Sequence, residues 1–221
     1  MSTQTQKVAV HCHGRHLQAV DWHQHMWLSS DGRLGQIPMA LYIAIKEDAS
    51  MLSFGTGASE INGVKEAIWT RDFALKNLIS LMFEKSFKGL SVSTMRPLLE
   101  EAFLDTESQN TAQELRCIYA EYKRRSITKV ITVTNPSHGA RCRRDLDIHV
   151  EDVELRRNSY VATSEVPFAG ATVADTAILE PPHRGDDKSP PFYRLIPKLF
   201  GIASDKKQAC HDQLKALLES F

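Results

Sequence analysis

The chain has 221 residues, in which 27 basic and 27 acidic side chains balance to a formal net charge of zero. That balance gives no support to broad binding of nucleic acid or of a membrane surface. No apolar run approaches the roughly 20 residues that span a bilayer, and the N-terminal residues lack the apolar segment of a signal peptide. We therefore expect a soluble, cytoplasmic protein that binds a small molecule and has no nucleic-acid or membrane partner, with an oligomer left open.

The four cysteines lie far apart in the sequence, and none belongs to a C-x-x-C pair; they are Cys12, Cys117, Cys142 and Cys210. A disulfide framework is unusual in a chain of this size from a reducing compartment. The spacing therefore predicts buried, reduced thiols.

Strand-like and helix-like patterns alternate along the chain. Short β-branched or apolar runs predict strands at 7–12, 51–54, 129–134 and 159–163. Apolar periodicity predicts helices from about 15 to 27, 37 to 46, 64 to 83, 111 to 125 and 140 to 149, with a break at 89–97. We expect one domain over 1–221, with 165–192 as a loop excursion and 205–221 as a C-terminal helix. Repeated strand–turn–helix units favour a mainly parallel sheet with helices on both faces.

The most informative turn joins an apolar run ending at Asp105 to a helix that begins near Thr111. Thr111 and Glu114 have the T-x-x-E spacing of a capping box, which predicts the start of the helix. The turn also holds further polar side chains next to unpaired helix N–H groups, namely those of Glu107, Ser108 and Asn110. Such a turn is suited to holding a polar ligand.

A glycine-containing turn, Gly55-Thr56-Gly57, follows the strand at 51–54. Glycine allows backbone N–H groups to approach an anion closely, so this turn is a candidate cradle for the ligand. A tight strand-to-helix turn without a ligand explains the two glycines equally well. Glu60 and Glu66 lie near or inside the next helix, where the helix dipole alone also favours an acidic residue.

The strand at 129–134 ends in a turn that contains Asn135 and Ser137, followed by His138. His138 would project from the first helical turn, with Arg141 on the same helical face. A histidine beside an arginine suits acid/base chemistry on a phosphate or carboxylate. A capping turn with a solvated basic face is the alternative.

Five histidines cluster near the N-terminus, at positions 11, 13, 16, 23 and 25. Two H-x-H pairs are compatible with zinc, so a metal-dependent hydrolase built on His11 and His13 is one alternative. We favour a ligand-binding loop formed by His13, Gly14 and Arg15. A Ser-His-Asp group of Ser108, His138 and Asp105 is a further alternative, although no G-x-S-x-G sequence accompanies it.

Three separated motifs over roughly residues 50–150 resemble the YdcF-like family, a domain family of unknown function. They are the glycine turn 55–57 with Glu66-Ala67, the S-x-N-T sequence 108–111 with Glu114, and Val133-Thr134 followed by His138 and Arg141. The resemblance implies a Rossmann-like, three-layer α/β fold with a polar pocket at the strand ends. It also implies a small nucleotide-like or phosphate-bearing ligand and hydrolase or transferase chemistry.

Together these observations predict an enzyme that acts on an anionic metabolite at the carboxyl ends of the strands. We expect His138, Glu107 and Asp105 to be catalytic. The expected ligand contacts are His13, Gly14, Arg15, Gly55, Thr56, Gly57, Glu60, Glu66, Ser108, Asn110, Thr111, Asn135, Ser137 and Arg141, without a metal ligand. The alternative to an enzyme is a protein that binds a nucleotide such as S-adenosylmethionine, and we expect such a cofactor before a metal.

Overall fold

A computed structural model describes residues 6–167 and six isolated positions between 206 and 216 (206, 208, 209, 212, 213 and 216). Strands and helices alternate through the continuous part. In chain order they are β1 (Val8–Cys12), α1 (Trp22–Met26), α2 (Gln36–Lys46), β2 (Met51–Phe54), β3 (Glu60–Ile61), β4 (Val64–Lys65), α3 (Glu66–Asn77), α4 (Val92–Glu100), β5 (Phe103–Leu104), α5 (Thr111–Arg124), β6 (Lys129–Thr134), α6 (Gly139–His149), α7 (Val153–Arg157) and β7 (Ser159–Thr163).

Five of the strands form one parallel sheet in the order β5-β2-β1-β6-β7, and β3 and β4 form a separate hairpin. From β1 the chain first moves outward to β2 and β5, and then returns to β6 on the other side of β1. The direction of strand progression therefore reverses between β1 and β6. In sheets of this type, ligands bind outside the carboxyl ends of the strands at such a reversal.

The two faces of the sheet are covered by different helices. In β1, Val8, Val10 and Cys12 pack in the core formed with α1 to α4, whereas Ala9 packs in the core formed with α5 and α6. This alternation follows from the two-residue period of a strand. The predicted α/β fold is confirmed as a Rossmann-like three-layer sandwich.

The predicted strands at 7–12, 51–54, 129–134 and 159–163 are all present, as are the helices α2, α5 and α6. The helix predicted from about 15 to 27 is wrong over most of its length, because only α1 forms there. The pattern predicted as one helix from 64 to 83 contains β4, α3 and a following 3₁₀ segment, Leu78–Phe83.

The break predicted at 89–97 is also wrong, because α4 occupies most of it and contains Pro97. Ser91 caps α4 by accepting a hydrogen bond from the Thr94 N–H at 3.3 Å. Met95 and Leu99 are fully buried on its inner face, and this packing stabilises a helix that proline alone would disfavour.

Most of the predicted excursion at 165–192 and of the predicted C-terminal helix at 205–221 lies outside the described residues. The prediction of a single domain over 1–221 therefore stays a prediction. Among the described residues, no helix is long and apolar enough to cross a membrane.

Candidate functional site

Glu114 lies in the first turn of α5 and points toward the end of β1, where it is fully buried. Its Oε1 atom accepts hydrogen bonds from His11 Nε2 at 2.9 Å and from the Gly14 N–H at 3.1 Å. Its Oε2 atom lies 2.6 Å from His13 Nδ1, in a contact that is not aligned as a linear hydrogen bond. Glu114 thus joins the two histidines that end β1.

The predicted capping box is wrong. The N-cap of α5 is Asn110, whose Oδ1 accepts a hydrogen bond from the Gln113 N–H at 2.9 Å. Thr111 is the first helical residue, and the Glu114 carboxylate faces the histidines instead of the cap. Asparagine is as favourable an N-cap residue as threonine. Because Asn110 caps α5, the Glu114 side chain is not needed at the cap.

The carboxyl group of Glu114 is ionised at neutral pH. Burial alone raises its pKa, but the attraction of His13 and the hydrogen bonds from the histidines lower the pKa to about 2. A buried negative charge is therefore present next to His11 and His13 at neutral pH.

A hydrogen-bonded chain leads from Glu114 into the core. His11 and Ser53 are paired in register on β1 and β2, and His11 Nδ1 lies 3.1 Å from Ser53 Oγ. Ser53 Oγ also contacts the hydroxyl of Tyr122, whose pKa burial raises well above its ordinary value. The phenol therefore stays protonated and donates to Ser53, which donates to His11 Nδ1. His11 then donates from Nε2 to Glu114 Oε1.

The imidazole of His138 stacks on that of His13, with 4.6 Å between ring centroids and 19° between ring planes. His138 Nε2 lies 3.3 Å from Arg141 Nη2 and 3.4 Å from Thr111 Oγ1. Because a guanidinium can only donate hydrogen bonds, Nε2 of His138 is the acceptor.

These side chains surround a cavity of about 230 Å³ at the carboxyl ends of β1 and β6. Ten of the predicted site residues line it, namely His13, Gly14, Arg15, Thr56, Glu66, Asn110, Thr111, Asn135, His138 and Arg141. His16, which the sequence offers beside His13 as a loop contact, also lines the cavity. The sequence did not identify the other lining residues, namely Ala19, Gln36, Glu114 and Thr134. Burial lowers the pKa of Arg15 to about 10, which leaves it cationic at neutral pH.

The predicted anion cradle at Gly55 and Gly57 is wrong, because protein atoms occupy the space that the glycines provide. A Cβ atom on Gly55 would overlap Glu114 Oε1, and one on Gly57 would overlap the carbonyl oxygen of Thr106. The Gly57 N–H donates to the carbonyl oxygen of Ser108 at 2.9 Å. Gly55 therefore makes room for the buried carboxylate.

The two carboxylates that were predicted to be catalytic do not line the cavity. Asp105 is buried, and its Oδ1 atom accepts hydrogen bonds from the N–H groups of Glu107 at 3.1 Å and Ser108 at 3.0 Å. This geometry gives Asp105 a role in closing the turn. Glu107 is exposed on the outside of that turn.

The remaining predicted residues also have local partners. Glu60 forms an exposed ion pair of 2.9 Å with Lys65, away from the cavity. Ser137 is buried and donates its N–H to Asn135 Oδ1 at 2.9 Å. The Ser-His-Asp group is not formed, since Asp105 Oδ1 accepts from backbone N–H groups of its own turn and Asp105 Oδ2 has no hydrogen-bond partner among the described residues.

Among the residues that the structure describes, two groups of side chains have the composition of a metal site, and in each the ligand atoms lie within 4.8 Å of one another: His11–His13–Glu114 and His13–His138–Cys142. Ligands at about 2.1 Å around tetrahedral zinc are about 3.4 Å apart. The contacts of Glu114 with His11 and His13, at 2.9 and 2.6 Å, are shorter than this spacing. In the second group the ring planes of His13 and His138 are stacked and nearly parallel, so their in-plane lone pairs cannot both point directly at one ion. Either group would have to rearrange to take an ion.

No protein-family model matches the chain, and no curated protein and no solved structure is significantly similar to it. The class of protein is therefore described from its fold and the geometry of its site. The protein is a parallel α/β sandwich with a buried carboxylate and two histidines beneath a polar cavity at the reversal point of the sheet.

Proposed function

We propose that the protein is an enzyme, a hydrolase or transferase, that acts on a small anionic metabolite with His13 as its acid/base residue. The contact between ionised Glu114 and His13 Nδ1 carries this proposal. The other nitrogen, Nε2, forms no hydrogen bond with any residue in the described part of the chain. A carboxylate that orients one imidazole nitrogen and stabilises the imidazolium leaves the second nitrogen to exchange a proton with substrate or water.

His13 replaces His138 in the acid/base role that the sequence favoured. Nε2 of His138 faces the guanidinium of Arg141, which donates hydrogen bonds, so this nitrogen is engaged as an acceptor. His138 has a positioning role in this proposal, because its ring stacks on His13 and limits rotation of that imidazole.

Two arginines on the cavity wall support an anionic substrate. Arg15 and Arg141 both line the cavity, and arginine binds phosphate and carboxylate groups through paired N–H donors. The motifs that resemble the YdcF-like family support the same kind of ligand, a nucleotide-like or phosphate-bearing metabolite.

The first experiment is mass spectrometry of the small molecules and metals released from purified, untagged protein. A released metabolite provides the substrate for turnover assays. We expect His13→Gln to lower turnover by at least about 100-fold, the usual contribution of general acid/base catalysis, while the protein stays folded. The exposed His23, changed to Gln, is the matched control and should leave turnover unchanged.

Retained turnover in the His13→Gln variant would remove His13 from the mechanism. A nucleotide such as S-adenosylmethionine that is retained and chemically unchanged would instead support a binding protein. A stoichiometric metal that is lost in the His13→Gln variant would support a metal-dependent hydrolase.

A further inference from the structure

In the side-chain amide of Asn110, the oxygen has a hydrogen-bond partner and the nitrogen has none among the described residues. Its Oδ1 atom accepts the hydrogen bond from the Gln113 N–H that caps α5. Its Nδ2 atom is buried and has no hydrogen-bond partner among the described residues, although Asn110 is only 1% exposed. The cap fixes the orientation of the amide, because turning it over would place a donor against the Gln113 N–H. Asn110 lines the cavity, so its unsatisfied donor belongs to a residue of the cavity wall.

The surroundings of Asn110 favour a negatively charged ligand group. The next residue, Thr111, contacts His138 Nε2 at 3.4 Å, and the same nitrogen contacts Arg141 at 3.3 Å. The N-termini of α5 and α6 therefore meet on this side of the cavity. Helix N-termini carry partial positive charge and present N–H groups, and the guanidinium adds a full positive charge.

The carboxylates of the site restrict where such a group can bind. Glu114 lies under Gly14, and the Glu66 carboxylate lies close to the Gly14 Cα, at the end of β1. Both disfavour an anion at that end, so the anion belongs beside Asn110 and Arg141. The rest of the ligand would then extend toward His13.

We propose that Asn110 Nδ2 and Arg141, at the joined N-termini of α5 and α6, form a subsite for the oxyanion group of the ligand, either a phosphoryl or a carboxylate group. This inference rests on the proposed function only in placing the ligand in this cavity. It specifies which part of the substrate is recognised, namely its oxyanion group. It also identifies Asn110 as the residue that would favour an acceptor oxygen over a donor group in the subsite.

The test changes the donor and keeps the helix cap. Asn110→Ser retains an oxygen for the Gln113 N–H and removes Nδ2, whereas Asn110→Asp retains the cap and replaces the donor by an anionic oxygen. Binding of inorganic phosphate and of acetate to the full chain is measured by calorimetry and by the shift in Tm. We expect affinity for at least one of the two anions to fall roughly 10-fold in Asn110→Ser and further in Asn110→Asp. Selectivity for phosphate or acetate identifies the class of oxyanion.

The matched control is Asp152→Asn, which exchanges the same two residue types at the N-cap of α7, where Asp152 accepts from the Leu155 N–H at 3.0 Å. It should leave anion binding unchanged. Equal affinities in the wild-type protein and both Asn110 variants would overturn the subsite. It would also be overturned if the wild-type protein bound neither phosphate nor acetate. The proposed function fails separately, through retained turnover in the His13→Gln variant.

Discussion

Glu114 carries a negative charge inside the protein, where burial alone opposes ionisation. The opposition is overcome because three groups face the carboxylate, namely the imidazoles of His11 and His13 and the Gly14 N–H. Gly55 belongs to the same arrangement, since any larger residue would occupy the position of Glu114 Oε1. The charge that orients His13 therefore depends on the space that a glycine provides as well as on its partners.

This arrangement predicts a specific loss of stability in acid. The pKa of Glu114 is lowered from 4.5 to about 2 in the folded protein, so its contribution to stability is present above pH 4.5. The contribution is lost as the pH falls through the folded-state pKa, and its full size is on the order of 3 kcal/mol. We expect the free energy of unfolding, measured with urea between pH 5 and pH 2.5, to fall less steeply in Glu114→Gln than in the wild-type protein.

The exposed Glu151, changed to Gln, is the control for this measurement. It removes one carboxylate from the surface and should retain the wild-type dependence on pH. An identical dependence in Glu114→Gln would show that the carboxylate is not held in its ionised form by the histidines.

At the scale of elements, α5 connects the site to the core of the molecule. Glu114, Ile118 and Tyr122 are four residues apart and buried on the helix face that covers β1 and β2. The polar residues at the two ends of this row meet the paired strand residues His11 and Ser53. A buried network of this kind stabilises a protein only when each member has its partner.

The network predicts non-additive effects of mutation. Tyr122→Phe and Ser53→Ala should each lower the free energy of unfolding by about 1–2 kcal/mol, because each leaves a buried partner unsatisfied. The double variant should lose less than the sum, with a coupling energy on the order of 1 kcal/mol. Urea unfolding of the four proteins measures this coupling. A control cycle combines Tyr119→Phe with Ser53→Ala. The two losses in the free energy of unfolding should be additive there, since no hydrogen bond joins Tyr119 to Ser53 in the part of the chain that the structure describes. A Tyr122–Ser53 coupling near zero would contradict the network.

The sequence predicted the elements well where the local pattern and the packing agree. Lys129–Thr134 is a β-branched run and forms β6, and Gln36–Lys46 has the apolar spacing of a helix and forms α2. The break predicted at 89–97 was wrong, because burial of Met95 and Leu99 stabilises α4 although the helix contains Pro97. Local propensity is a weak guide when tertiary packing opposes it.

The site was harder to predict, because its decisive contacts join residues that are distant in the sequence. Glu114 fits a capping box locally, but its partner His11 is 103 residues away. The glycine turn showed that something approaches the backbone closely, but glycine does not specify what approaches. The strand ends that meet at the cavity were predictable, since parallel strands place their carboxyl ends together.

At the scale of the whole molecule, the central strand β1 belongs to both cores. Cys12 packs with α1 to α4, and its neighbour His11 faces α5 on the opposite side. Cys142, in α6, is buried on the side of the sheet that α5 and α6 cover. The two thiols therefore report on the two layers separately.

Thiol labelling tests whether these layers unfold together. Burial raises the pKa of Cys12 and Cys142 far above the usual thiol value, so neither reacts as a thiolate in the folded protein. If the sandwich opens as one unit, both cysteines should be alkylated at the same slow rate and with the same dependence on urea, as measured by peptide mass spectrometry. Half-buried Cys117, whose pKa burial raises only to about 11, should react faster and serves as the internal control. Faster labelling of Cys142 than of Cys12 would show that the layer of α5 and α6, which carries Glu114 and Asn110, opens while the other layer stays folded.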